Sequence, residues 1–356
     1  MSPELQNVTD MIENEIRATV DSTYFMAQIN IVVSLITILI NLVHFSILIR
    51  KELRTNPVFI FMIFLSICDI LTALVTSILY FHTIRIYGRT DYCYQYDSYT
   101  FLIFNVFASS VIGASSFSIP WLILMMTFYR TIAITFPMSR LLEKLTRPGI
   151  LILIASGILM MEAISASSVN LNILIIAKRN DSDVCRLIED LNTTVPDQYV
   201  LFTEDNNNDF NIITNKIMIG ISSFQIIGFI FSTVWLVSIL QKVEKNRKKL
   251  LTSDENKKSN TNKLVLAMNF FTFVSTIVDF AWLVSALIST VDDKLWIIRI
   301  IIPFKYFFTY LQSSCHCFIC YALSSEYRTV AKQVLCKNTI KNIIIVKPSA
   351  TGKMKI

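Results

Sequence analysis

Seven uninterrupted apolar runs dominate this chain, and they leave few folds open. They cover residues 25–48, 58–84, 99–127, 149–176, 213–240, 264–290 and 295–323. Each is long enough, at ~20 residues or more, to cross a ~30 Å hydrocarbon core as an α-helix. In lipid a helix satisfies its own backbone, and an irregular segment does not. The pattern predicts an all-α membrane protein, a seven-transmembrane helix bundle over residues 25–323. Residues 1–24 read as a tail before the bundle, and residues 324–356 as a juxtamembrane helix and tail after it. Charge content agrees, at 16% of 356 residues against ~25% in ordinary soluble proteins. The first residues are polar and acidic, so the first run itself is expected to direct insertion.

Charge also sets the expected orientation. Of the 32 Lys and Arg residues, 22 fall on the side reached after runs one, three, five and seven. The opposite side is acidic, with Glu4, Asp10 and Glu13 ahead of run one and Asp181, Asp183, Glu189 and Asp209 between runs four and five. Basic loops stay in the cytoplasm. The amino terminus is therefore expected outside and the carboxyl terminus inside. Three N-x-S/T acceptors, at Asn7, Asn180 and Asn192, all lie on the outer side and read as glycosylation sites. Cys93 and Cys185 are the cysteines outside apolar runs on that side, and two thiols in an oxidising compartment are expected to pair. Two free thiols are the alternative. The net charge of +6 comes from segregated loops, so it signals no nucleic acid.

Polar residues inside the runs are the functional candidates, because each is costly in lipid. Arg130 ends a long apolar stretch at the cytoplasmic mouth of run three, with Tyr129 beside it. It is either a switch or a snorkelling charge that fixes helix depth. Asp69 lies deep in run two, where Asn41, Ser313 and His316 are its available partners. That cluster either rearranges on activation or bonds neighbouring helices. Asp279 and Lys305 lie about 15 Å below the outer surface, at 1.5 Å of rise per residue. They are expected to pair, as a structural bridge or as the floor of a ligand pocket. Glu162 either faces that pocket or is neutral against Ser165 and Ser167. Trp282 and Tyr306 are the aromatic candidates for ligand contact. The segment after run seven, with Val330, Val334 and Leu335 at helical spacing, reads as an amphipathic helix on the inner leaflet.

Several stretches are similar to one family. Residues Arg50 to Thr55, RKELRT, after a first run holding Asn41, resemble the first cytoplasmic turn of the nematode serpentine receptors of class W. So does FMIFLSICDI, residues Phe61 to Ile70, with its aspartate Asp69. Ser118, Trp121, Arg130 and Pro137 match the family's third span, and His316 to Tyr321 followed by SSEYR resemble its seventh-span exit. The resemblance places the chain near receptors for FMRFamide-like peptides, within the rhodopsin-like superfamily. It implies a G-protein-coupled receptor in the plasma membrane, with a heterotrimeric G protein inside and a peptide or small-molecule ligand outside. It favours the switch role for Arg130, with Tyr129 as accessory. No acidic residue directly precedes Arg130, so its restraint is expected from Glu244 or Asp254 in the third inner loop, or from no lock. The Asn-Pro pair usual in the seventh span is His316-Cys317 here.

A seven-span transporter or channel subunit, using the intramembrane charges as an ion path, is the competing reading. No pair of runs broken by Gly and Pro points to a transporter site. Neither Gly-x-Ser-Gly nor HExxH is present, and His44, His82 and His316 have no ligand spacing, so no enzyme, cofactor or metal is expected.

Overall fold

The computed structural model describes residues 3–87, 98–136, 144–145, 147–178, 199–203, 208–250, 261–288 and 291–335. Eight helices and one hairpin make up these residues: α1 (Pro3–Leu48), α2 (Pro57–Tyr87), α3 (Tyr99–Thr135), α4 (Pro148–Ile173), β1 (Leu174–Lys178), β2 (Tyr199–Thr203), α5 (Asn208–Leu250), α6 (Thr261–Ile288), α7 (Val291–Leu323) and α8 (Ser325–Leu335). Six of the helices are long and apolar enough to cross a membrane. The seventh, α7, matches the last apolar run.

The helices run alternately up and down, so the bundle has two ends. One end carries the β1–β2 hairpin between α4 and α5, and the other carries α8. Central in the bundle is α3, which packs against α2, α4, α5 and α6. Meanwhile α1 packs on α2, α7 and α8.

Burial is inverted relative to a soluble protein. Leu153 and Met161 of α4 are 71% and 74% exposed, and Ile227 and Phe231 of α5 are both 64% exposed. By contrast Asn41, Asp69, Asn269 and His316 are buried. Apolar side chains face outward where hydrocarbon solvates them, and polar ones face each other.

Local chemistry explains several helix ends. Ser98 caps α3, its extended backbone letting Oγ accept from the Phe101 N–H. At the start of α2, Asn56 Oδ1 accepts from the Val58 N–H at 3.2 Å, and Pro57 opens the helix without needing a donor. Ser324 separates α7 from α8 by accepting from the Tyr327 N–H at 3.1 Å. Arg328 Nη1 donates to the Ala322 carbonyl at 2.8 Å, covering the end of α7.

Three boundaries differ from the sequence reading. Residues 3–24, expected as a tail, continue α1 as helix. Run three does not end at Thr127, because α3 continues to Thr135 and carries Arg130 on its last turns. Run four ends early: α4 stops at Ile173, and Leu174–Lys178 form a strand that pairs antiparallel with Tyr199–Thr203. This hairpin is the one addition to an otherwise helical fold among the described residues. The β-branched pair Ile175 and Ile176 suits a strand as well as a helix. The fifth run continues through its basic flank to Leu250 as a helix, and α8 forms where the amphipathic spacing placed it. Its inner face is Tyr327, Val330 and Ala331, while Leu335 is exposed.

Candidate functional site

A cavity of about 220 Å³ opens in the hairpin half of the bundle. Helices α2, α3, α5, α6 and α7 all contribute to its wall. From α3 come Gly113, Ser116 and Pro120; from α2, Thr72; from α5, Gln225; from α6, Asp279 and Trp282; from α7, Lys305. Gly113 lets α3 approach α4 closely, since an added Cβ would lie 3.3 Å from Ala166 Cβ. Pro120 has no N–H, which leaves the Ser116 carbonyl without its usual helical donor at the cavity wall.

Lys305 Nζ lies 3.3 Å from Asp279 Oδ1, and the two side chains are 30% and 28% exposed. The expected pairing of α6 with α7 is present, and Trp282 joins it at the wall. The side chain of Tyr306 lies outside the described residues. Glu162 does not line this cavity: it bonds the indole of Trp121, which also packs against Phe224 at 5.9 Å.

Towards the α8 end, polarity is paired off between helices. Asp69 Oδ2 and His316 Nδ1 are 3.2 Å apart, joining α2 to α7 with both side chains nearly inaccessible. Asn41 Nδ2 donates to Ser313 Oγ at 2.8 Å and to the Thr37 carbonyl at 3.0 Å. Ser66 Oγ donates to the Asn41 carbonyl at 3.3 Å. Of the expected partners of Asp69, His316 contacts it, while Asn41 and Ser313 bond each other and so tie α1 to α7.

Three contacts had no counterpart in the sequence reading. Asn269 of α6 bonds both neighbours: Thr127 Oγ1 of α3 donates to its Oδ1 at 3.2 Å, and its amide nitrogen bonds Thr233 of α5. Gln312 Nε2 of α7 donates to Thr272 Oγ1 of α6 at 3.1 Å. Tyr327 of α8 bonds His44 Nδ1 of α1 at 2.7 Å through its hydroxyl, with Cys317 Sγ 3.6 Å away. Burial, aided by Cys317, pushes the Tyr327 phenol well above the ordinary tyrosine range, so it keeps its proton. The available signal was the lone amides Gln225, Asn269 and Gln312 inside apolar runs, since an amide in lipid needs a partner.

Arg130 is half-buried one turn beyond Thr127, and Tyr129 beside it packs against the core. Among the described residues the carboxylate acting on Arg130 is Glu326, at the start of α8. The third-loop acids expected to restrain it do not enter this picture: Asp254 and the side chain of Glu244 lie outside the described residues. So do Cys93, Cys185, Asn180, Asn192 and the side chain of Asn7.

A buried polar core, a wall of apolar residues facing outward and a cavity at one end are what a seven-span receptor requires. A search of curated proteins matches none of them. Residues 28–338 match the model of the serpentine type 7TM GPCR chemoreceptors of class Srw, and the chain belongs to that family of multi-pass membrane receptors.

Proposed function

We propose that the protein sits in the plasma membrane with its hairpin end outside, binds an extracellular ligand there, and passes the signal to a heterotrimeric G protein at the α8 end. The ligand is a peptide, FMRFamide-like or other, or a small chemosensory molecule. The excess of Lys and Arg on the α8 side supports this orientation, as do Asn7, Asn180 and Asn192 on the other. A Cys93–Cys185 disulfide belongs to the same reading. Basic loops and α8 would meet the G protein and anionic lipid.

One observation carries the proposal. Helix α6 bears both a cavity charge, Asp279, and the residue that ties it to α3 and α5, Asn269. These are ten positions apart, about 15 Å along the helix. A ligand that binds one arrangement of α6 better than another shifts the population between them. Moving α6 off Thr127 would open the inner face beside Arg130. Agonist-stimulated nucleotide exchange on co-expressed G protein tests this. Exchange should disappear in Arg130→Ala with surface expression intact. Ligand-gated or proton-coupled current without any G protein would sink it in favour of a channel or transporter.

A further inference from the structure

We propose that the cavity takes a compact zwitterion, a molecule such as a free amino acid with an ammonium and a carboxylate a few bonds apart. This rests on the receptor reading above and narrows its ligand.

Size comes first. About 220 Å³ is below the ~300–1,000 Å³ of pockets that hold drug-sized ligands. The site accommodates a small molecule whole, or only the tip of a larger one.

Charge decides between the small molecules. The wall presents one cation and one anion, Lys305 and Asp279, in contact. A ligand bearing a single positive charge would draw Asp279 away and leave the Lys305 ammonium without its partner. A single negative charge would do the converse. Either exchange leaves one charge unpaired at a site only about one-third exposed, a cost that a ligand supplying both partners avoids. A zwitterion offers each group a replacement partner, so no charge is orphaned. The pair is also open to such an exchange. Asp279 Oδ1 has no accessible surface and accepts no hydrogen bond, so the contact with Lys305 is electrostatic and leaves bonding capacity unused.

Neutral polarity around the pair points to a ligand as well. Gln225 is 2% exposed and its amide nitrogen has no partner among the described residues. Thr72 is 6% exposed and its hydroxyl has none either. Both line the same cavity, from α5 and α2. Buried polar groups without partners cost free energy unless something fills the space between them. Ile112, Phe117, Trp282 and Leu283 supply an apolar side for a short hydrocarbon chain. An amidated peptide terminus, by contrast, brings no carboxylate.

The test uses the full chain purified in lipid nanodiscs and reads its melting temperature. The probes are the standard free amino acids and γ-aminobutyrate, with butylamine, butyrate and butyramide as matched compounds lacking one or both charges. At least one zwitterion should raise the melting temperature, and the three matched compounds should not. Asp279→Asn and Lys305→Gln should each abolish that rise. Gln225→Leu should weaken apparent affinity about tenfold, the size of one lost hydrogen bond. The double exchange Asp279→Lys with Lys305→Asp keeps both signs at the wall and should keep the rise, even where a single variant folds poorly. No rise with any zwitterion, a rise with butylamine or butyrate alone, or a rise that survives both single variants would overturn the proposal. Melting needs no G protein. A charge-dependent rise without nucleotide exchange would defeat the coupling reading and leave this one, and exchange driven by an amidated peptide without any zwitterion rise would do the reverse.

Discussion

The hairpin half and the α8 half of this bundle handle intramembrane polarity in opposite ways. Towards α8, polar side chains bind each other, Asp69 with His316, Asn41 with Ser313, Asn269 with Thr127 and Thr233, although Asn41 Oδ1, His44 Nε2 and His316 Nε2 have no partner among the described residues. Nearly all of these are inaccessible. Towards the hairpin, the Gln225 amide nitrogen and the Thr72 hydroxyl have no partner among the described residues, and the Asp279–Lys305 pair is about one-third exposed beside a cavity. One half uses polarity to specify which helices touch. The other half holds polarity in reserve. Substitutions should therefore affect stability in the first and ligand response in the second.

Asp69→Ala should produce the largest loss of stability. It leaves the buried His316 ring without its partner and opens a cavity where Asp69 packed; an orphaned buried polar group costs about 1–3 kcal/mol, and the cavity adds to that. Expected results are poor surface expression and a melting temperature well below the parent in nanodiscs. The double variant Asp69→Asn with His316→Asn restores a neutral pair and should recover part of the loss. If Asp69→Ala melts like the parent, the α8 half is not held by this contact.

Tyr327→Phe comes next. The ring keeps its packing, but His44 loses the hydroxyl it bonds at 2.7 Å. An orphaned buried group costs about 1–3 kcal/mol. Because Tyr327 anchors α8 to α1, coupling should weaken together with the melting temperature. Unchanged hydrogen exchange in α8 would show that the hydroxyl does not anchor it.

Asn269→Ala separates stability from activity within the same half. Thr127 Oγ1 shares its one proton between the Ile123 carbonyl at 2.8 Å and Asn269 Oδ1 at 3.2 Å, so the substitution strands little. Two interhelical hydrogen bonds of about 0.6 kcal/mol each amount to roughly an eightfold shift between closed and open α6. Ligand-independent nucleotide exchange should rise by up to that factor, at near-parental expression. Basal exchange equal to the parent's would rule out Asn269 as a restraint.

These contrasts also explain what was legible in the sequence. Span number was readable because seven runs exceed membrane thickness and have few charges. The Asn41, Asp69, Ser313 and His316 cluster was readable because ionisable and polar residues at matching depth must find one another. Asp279 and Lys305 were readable for the same reason. The hairpin was hidden, because Leu174–Lys178 continues the apolar run of α4 with no polar break. The electrostatic influence of Glu326 on Arg130 was hidden too, because it depends on where α8 places that acid. Gln225 and Asn269 look alike as lone amides in apolar runs. Only the packing shows that one faces an open cavity and the other a pair of threonines.

Lys305→Gln should have the smallest effect on stability, and it tests the comparison most directly. Its pair with Asp279 is 3.3 Å long and its side chain is 30% exposed. Solvent screening at that exposure limits such a pair to about 0.2–1 kcal/mol. In a chain of this size that moves the melting temperature by less than about 3 °C. The Asp279 side chain that remains is 28% exposed beside the cavity, where solvent screens it, whereas the His316 side chain left by loss of Asp69 is 2% exposed. The response to ligand should nevertheless fail, because the wall no longer offers a cation. A loss of stability as large as that of Asp69→Ala would mean that the pair braces α6 against α7. Both halves of the bundle would then use their polarity in the same way, and the distinction between them would disappear.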